Sequence, residues 1–170
     1  MTPGQLPEPI VHNILQTDLN DIASALGIAS TSIKASSTIN VGAVWMTLQL
    51  SNSDEVRGLR PDMEKLADLT PRGVVGVTVF GRTAANIDSH IEVRSFAPRE
   101  GIAEDPVCGS GNGCVAVLVR QHKLIEGSTY IASQGFCLGR DGRVEVRYQD
   151  NNKILLGGHA VTCVQGILNV

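Results

Sequence analysis

The chain has 170 residues, of which 42% are hydrophobic, and its mean hydropathy of +0.07 suits one globular domain with a buried core. The net charge is −3 and the lysines and arginines are scattered, so the basic patch that nucleic-acid binding requires is not expected. No apolar run approaches the roughly 20 residues of a membrane-spanning helix. The first basic residue is Lys34, so the sequence predicts neither a transmembrane segment nor a signal peptide.

The cysteines and histidines lack the spacing of a metal site. The four cysteines at positions 108, 114, 137 and 163 form no C-x-x-C pair, and we expect free thiols in a reducing cytoplasm. The four histidines are dispersed along the chain. The sequence therefore predicts a cytoplasmic protein that binds no metal and no membrane.

The first residues differ in character from those that follow. Three prolines within Met1–Pro9 predict a linker-like leader over residues 1–10, followed by one domain over residues 11–170. Apolar residues at helical spacing predict a helix over Val11–Leu26, and Gly27 is placed to end it.

The middle of the chain predicts strands and a broken helix. Alternation predicts a strand over Val41–Leu50, and Ser53–Leu69 has apolar residues at helical spacing, with Pro61 suited to the first turn of a second segment. Val74–Phe80 and His90–Phe96 read as two neighbouring strands separated by a polar turn.

The last third of the chain predicts one helix and several short strands. The helix is expected over about 110–122, and strands are expected over Thr129–Ser133, Arg143–Tyr148, Ile154–Leu156 and Ala160–Val170. Cys114–Val119 is apolar on every side of the helix, which a surface helix would not tolerate. We therefore expect β-segments wrapped around one buried helix, an α+β fold.

The segment from Glu104 to Cys114 directly precedes and begins this helix, and it carries an acidic pair, a thiol and a glycine cluster. The first amides of a helix lack internal partners and lie at its positive end, so Gly109, Ser110, Gly111 and Asn112 are predicted to bind a substrate carboxylate. The same field favours a thiolate at Cys108 and an ionised Asp105. We expect Glu104, Asp105 and Cys108 to supply proton-transfer groups beside this anion site.

Two other interpretations of the segment stay open. Glu104 and Asp105 fit acids that complement the helix dipole, Ser110 fits a capping residue, and Cys108 fits a structural thiol. A nucleotide site is the second alternative. The glycines from Gly109 onward have the pattern G-x-G-x-G, which lacks the third glycine of a dinucleotide fingerprint and the Gly-Lys-Ser/Thr of a phosphate-binding loop.

The chain resembles the C-terminal half of PhzF-type isomerases, the phenazine-biosynthesis family within the diaminopimelate epimerase superfamily. The resemblance covers nearly all of the sequence. It rests on Leu59–Asp62, Arg94–Pro98, Gly101–Val107, Gly109-Ser110, Gln134-Gly135, Gly139-Arg140, Val144–Val146 and Gly157–Val161.

Members of that family have two related domains, each a β-barrel-like, mixed and mostly antiparallel sheet around a central helix, with the active site between them. The resemblance implies the same fold here, for one domain of the usual two. It places Asp105 and Ser110 on active-site positions and the Gly109–Gly111 backbone on the substrate-carboxylate cradle. The family's namesake moves a proton on a dihydro-hydroxyanthranilate without a metal or an organic cofactor, so no cofactor is expected.

The sequence departs from the family pattern in two ways. Position 108 is usually Thr, whereas Cys108 followed by Gly-Ser-Gly resembles the thiol acid/base motif of diaminopimelate epimerases and proline racemases. The N-terminal domain, which carries the family's catalytic glutamate, has no counterpart before Val41. We therefore expect an isomerase or epimerase of a small carboxylate-bearing substrate, completed in a homodimer or by a separate N-terminal half. The alternative is a truncated or split-gene domain that binds a small acid or a protein partner without turnover.

Overall fold

A large mixed sheet dominates the computed structural model, which describes residues 4–85 and 87–168. Its ten strands within these residues are Gly4–Gln5 (β1), Ile10–His12 (β2), Ala35–Asn40 (β3), Val44–Asn52 (β4), Gly76–Arg82 (β5), Ile91–Ala97 (β6), Ile102–Asp105 (β7), Thr129–Gln134 (β8), Gly142–Tyr148 (β9) and Ile154–Gly157 (β10). The α-helices are Gln16–Leu26 (α1), Ser53–Gly58 (α2), Met63–Leu69 (α3) and Gly109–Gln121 (α4).

The sheet is mostly antiparallel and does not close into a barrel. The strand order is β1-β10-β9-β8-β6-β5-β4-β3-β2, with β7 paired to β6 beside this path. The pairs β4–β5 and β6–β8 are parallel, and the other pairs are antiparallel. The two edge strands are joined by residues 6–9 alone, so their near ends are at most about 18 Å apart. The sheet is therefore strongly curved, although no hydrogen-bonded ladder joins β1 to β2.

Helix α4 lies inside the curve of this sheet. Every residue from Gly111 to Val119 is buried, and the helix contacts β3, β4, β5, β9 and β10. This enclosure was predicted from the apolar residues on all sides of the helix. The α+β fold with a mixed sheet around a central helix is confirmed, and the sheet stops short of the barrel-like closure that the resemblance implies.

The outer face of the sheet is covered by α1, α2 and α3. A second core joins Ile22 and Leu66 of these helices to Met46, Val77 and Phe96 of the sheet, while Trp45 and Phe80 point to the opposite face and pack in the core around α4. The central strands are thus buried on both faces, because helices cover the two sides of one sheet.

Several local predictions agree with the structure. Gly27 ends α1 with φ 76°, the left-handed conformation that glycine tolerates best. The predicted broken helix is α2 followed by α3, and their N-caps Asn52 and Asp62 accept from the amides of Glu55 and Lys65. Residues in β9 alternate between buried and exposed as expected.

Other local predictions were wrong. Gly4–Gln5 pairs with β10, so part of the expected linker-like leader is an edge strand. Residues 10–12 form β2, and the first helix begins at Gln16 rather than at Val11. Strands β3 and β7 were not predicted; apart from the buried Ile39, their residues are small, polar or exposed. No strand forms from 158 to 168, because the apolar residues there pair with no neighbouring strand; residues 169–170 of that prediction lie outside the described residues.

Among the described residues, no helix combines the length and the apolar character needed to cross a membrane.

Gly81 provides a test of the packing between β4 and β5. A Cβ atom at Gly81 would lie 2.3 Å from the carbonyl oxygen of Asn52, whereas one at Gly58, the last residue of α2, would meet nothing within 4 Å. We expect Gly81→Ala to lower the free energy of unfolding by about 2 kcal/mol or more, because the backbone at Asn52 would have to move to make room for the new methyl group. The matched control Gly58→Ala should leave it unchanged or raise it by up to about 1 kcal/mol. Urea unfolding checks both, and equal effects would contradict the packing described.

Candidate active site

The N-terminus of α4 is capped by a cysteine side chain. Cys108 is the N-cap residue, and its Sγ accepts a hydrogen bond from Gly111 N at 3.3 Å. Gly109 is exposed, and within the described part of the chain the amides of Gly109 and Ser110 have no hydrogen-bond acceptor. Two N–H groups at the positive end of a buried helix are thus free to hold an anion.

Gln134, which was not among the predicted site residues, holds the loop before α4 in place. Its Oε1 accepts from Cys108 N at 3.1 Å and from Asn112 Nδ2 at 2.7 Å. Its Nε2 donates to the carbonyl oxygen of Asp105 at 2.8 Å. Gln134 is 1% exposed and ends β8, so the loop is tied to the sheet by one side chain. The Gln134-Gly135 motif of the family resemblance was the feature of the sequence that could have indicated this role.

Asp105 ends β7 at the rim of the same site. Its Oδ1 accepts from the amide of Val107 at 3.0 Å, a local turn that fixes the carboxylate. Asp105 pairs with Ser95 of β6 in the sheet register, and its charge is close enough to affect the thiol of Cys108. The predicted juxtaposition of Asp105 and Cys108 is therefore present.

The thiol of Cys108 is buried and neutral, contrary to the expected thiolate. Only 4% of the residue is exposed, and burial raises the pKa of Cys108 above its ordinary value. Hydrogen bonds from Gly111, Ser110 and Ser95 lower this pKa, while the Asp105 charge raises it. Cys108 does lie at the positive N-terminus of the helix, but the desolvation of the thiolate raises its pKa more than the helix lowers it. At neutral pH the group therefore carries a proton that it can donate.

Ser110 contacts both the thiol of Cys108 and the indole of Trp45. Its Oγ is 3.7 Å from Cys108 Sγ and accepts from the indole Nε1 of Trp45 at 3.0 Å. The side chain is half-buried, so it borders both the interior and the outer surface of the site. Trp45, which comes from β4, was not anticipated because 65 residues separate it from Ser110.

Glu104 is engaged in a buried ion pair, so the structure does not support the acid/base role expected of it. Its two oxygens accept from Nε and Nη2 of Arg94 at 2.9 and 2.8 Å, and the two side chains are 6% and 7% exposed. Burial alone lowers the pKa of Arg94, but the hydrogen bonds and charge of Glu104 outweigh it and raise that pKa. Arg94 also donates to the carbonyls of Val56 and Leu59. Glu104 thus anchors the strand that carries Asp105.

Two residues of the predicted carboxylate cradle face the interior. Asn112 is 1% exposed and donates through Nδ2 to Cys108 O at 2.9 Å as well as to Gln134. The amide of Gly111 is bound to Cys108 Sγ, and a Cβ there would lie 2.7 Å from Ser95 Oγ. The structure therefore narrows the available cradle to the amides of Gly109 and Ser110.

A cavity of about 520 Å³ opens beside Gly109. Its lining includes Val107 and Gly109 together with Arg143, Leu156 and His159. Arg143 pairs with Asp141 and Asp88, so its charge is largely balanced. The cavity gives a small molecule access to the N-terminus of α4.

Comparison of the sequence with known proteins shows which family the chain belongs to. The family model described as phenazine biosynthesis-like protein, PhzC-PhzF, matches residues 4–166. The chain belongs to this family. The Schizosaccharomyces pombe protein antisense-enhancing sequence 1 is 34% identical over 167 residues, which cover 91% of this chain and 55% of that protein. An uncharacterized isomerase of the same yeast is 30% identical over 141 residues, covering 78% of this chain and 75% of that protein.

Solved structures of the PhzF family share the fold. The Bacillus anthracis phenazine biosynthesis protein of the PhzF family superposes with a TM-score of 0.73 at 16% identity, covering 89% of this chain and 54% of that one. The chain thus spans about half the length of this protein and of antisense-enhancing sequence 1.

Glu104→Gln distinguishes an anchoring role from a catalytic one. Removing the charge leaves Arg94 buried without its counter-ion, so we expect the free energy of unfolding to fall by about 3–5 kcal/mol. The matched control Glu145→Gln acts on a pair whose side chains are 50% and 58% exposed, and we expect a change of at most about 1 kcal/mol. Chemical denaturation measures both. A stable Glu104→Gln variant that loses activity would restore the catalytic assignment.

Proposed function

We propose that this chain forms one half of an isomerase or epimerase site that moves a proton on the carbon next to a small substrate's carboxylate. The observation that carries the proposal is the neutral Cys108 thiol, held beside Asp105 and next to the unpaired amides of Gly109 and Ser110. Proton transfer at such a carbon needs an acid or base within reach and fixed donors for the negative charge that develops. The site combines both on one rigid helix terminus.

Each group has a distinct proposed role. The amides of Gly109 and Ser110 bind the substrate carboxylate and stabilise the charge that spreads into it as the C–H bond breaks. Cys108 is the acid/base: its thiolate form removes the proton from the carbon and becomes the thiol, and the thiol then returns a proton to the carbanion, so the protons balance at one sulfur. Asp105 polarises the site or relays the proton. This chemistry requires no metal and no organic cofactor, and the isomerase names of relatives support the reaction class.

Solvent-deuterium exchange tests the reaction. We expect the wild-type chain to incorporate deuterium next to the carboxylate of at least one acid in a panel of small amino and hydroxy acids. The rate should rise between pH 7 and pH 9, because the raised pKa of Cys108 leaves little thiolate at neutral pH. Cys108→Ser and Asp105→Asn should each lower it by about 10²-fold or more, whereas the matched control Cys137→Ser, at an exposed thiol, should not.

The outcome also decides between this proposal and binding without turnover. If the wild-type chain exchanges no deuterium while an acid from the panel still raises its melting temperature, the domain binds the acid but does not turn it over.

We also propose that a second copy of the chain, or a separate N-terminal half, covers this site. Val107, Phe136 and Leu138 are 44%, 61% and 43% exposed. Val107 belongs to the loop before α4, and Phe136 and Leu138 follow Gly135, whose backbone closely approaches the carbonyl of Pro106 in that loop. Exposed apolar residues grouped in this way are typical of a surface that a partner covers.

Light scattering after size-exclusion chromatography tests self-association. We expect a mass of twice the 18.0 kDa of the chain, because two related half-sites can pair about a two-fold axis. Phe136→Glu should shift the mass toward a single chain, and the new carboxylate lies next to Arg57, which already covers the Phe136 ring at 4.3 Å. The control Val161→Glu, at an exposed site, should leave the mass unchanged. A single-chain mass for the wild type would contradict the homodimer.

A further inference from the structure

Trp45 is the one tryptophan of the sequence, and it lies directly behind the site. It belongs to β4, is 3% exposed, and packs in the core that surrounds α4. Its indole Nε1 donates to Ser110 Oγ at 3.0 Å. A buried indole N–H without an acceptor costs about 1–3 kcal/mol, so the Ser110 hydroxyl satisfies a group that the fold has placed in the interior.

This contact leaves the hydroxyl proton of Ser110 available for a second partner. An indole N–H is a donor only, so Ser110 Oγ has to accept from it. Cys108 Sγ lies 3.7 Å from the same oxygen, and because a thiolate can only accept, Ser110 has to donate to the sulfur once it is ionised. Gly111 N already donates to the same sulfur at 3.3 Å. Gly111 and Ser110 therefore both face Sγ, and Trp45 binds the second of them.

We propose that Trp45 is a positioning residue that orders a chain of donors from its indole N–H through the Ser110 hydroxyl to Cys108 Sγ, and thereby stabilises the thiolate formed during proton transfer. The catalytic role of these hydrogen bonds rests on the proposed function, whereas the hydrogen bonds themselves do not depend on it. A charge that develops on a buried sulfur is costly, and donors already aimed at it lower that cost without rearrangement. Trp45 acts through Ser110, whose hydroxyl oxygen accepts from the indole and lies 3.7 Å from the sulfur.

The pH dependence of Cys108 alkylation tests the proposal without any substrate. The exposed thiols are removed in a Cys137→Ser, Cys163→Ser background, and the remaining Cys114 stays protonated because burial raises its pKa to about 12. Reaction of Cys108 with iodoacetamide is followed by peptide mass spectrometry between pH 7 and pH 10.5. The pH at which the alkylation rate reaches half its maximum is the midpoint. We expect Trp45→Phe to raise this midpoint by about half to one pH unit, which corresponds to the loss of one hydrogen bond.

A double-mutant cycle separates positioning from packing. Ser110→Ala should raise the midpoint, and adding Trp45→Phe to it should produce no further rise, because Trp45 acts only through that hydroxyl. Ser110→Thr keeps the hydroxyl and should retain the wild-type midpoint. The control Phe80→Leu perturbs the same core without touching the chain of donors, and it should leave the midpoint unchanged.

The lone indole gives a second, spectroscopic measurement. Ser110→Ala removes the acceptor of Trp45, so its fluorescence should shift to shorter wavelength, and Ser110→Thr should restore the wild-type emission. The proposal is overturned if Trp45→Phe leaves the midpoint unchanged, or if it raises the midpoint equally with and without Ser110. Because no arm uses substrate, a shifted midpoint together with absent deuterium exchange would overturn the proposed reaction and leave the positioning role standing.

Discussion

The geometry of the candidate site depends on one buried amide side chain, that of Gln134. Its oxygen accepts from the backbone of Cys108 and from Asn112, and its nitrogen donates to the carbonyl of Asp105. The loop before α4 is otherwise an irregular segment between a short strand and a helix, and its backbone polar groups need partners wherever they are buried. Gln134 provides these partners from the end of a central strand, so the acid and the thiol are held against the sheet rather than carried on a free loop.

The same burial that fixes the loop also sets the chemistry of the thiol. A helix N-terminus favours a negative charge by about 0.3–1 kcal/mol at exposed sites and up to about 2 kcal/mol in favourable ones. Removing a charged group from water costs more than this unless it is well paired. Cys108 is 4% exposed, and its pKa is raised although it accepts from Gly111, Ser110 and Ser95. These donors reduce the cost of the thiolate, which makes it accessible during a reaction but unfavourable at rest.

Features set by neighbours along the chain were predictable from the sequence, and features set by distant segments were not. The apolar sides of α4 predicted its enclosure, and Gly27 predicted the end of α1, since both depend on local geometry. The role of Glu104 depends on Arg94 across a strand pair, and that of Ser110 on Trp45 across 65 residues. No pattern near Glu104 or Ser110 indicates these partners. The Ala160–Val170 prediction failed for the same reason, because β-like residues show that a segment suits a strand without showing that another strand is there to pair with it.

The openness of the site explains why the proposed reaction calls for a second component. Gly109 is exposed and lines an open cavity, and the next residue, Ser110, is half-buried. Hydrogen bonds that stabilise a developing carbanion are effective when water is excluded, because water competes for the same donors and weakens the field. An open cavity cannot exclude water from a bound acid. In the proposed assembly a partner covers Val107, Phe136 and Leu138, which are exposed in this chain, and the burial of these apolar side chains would stabilise the closed site.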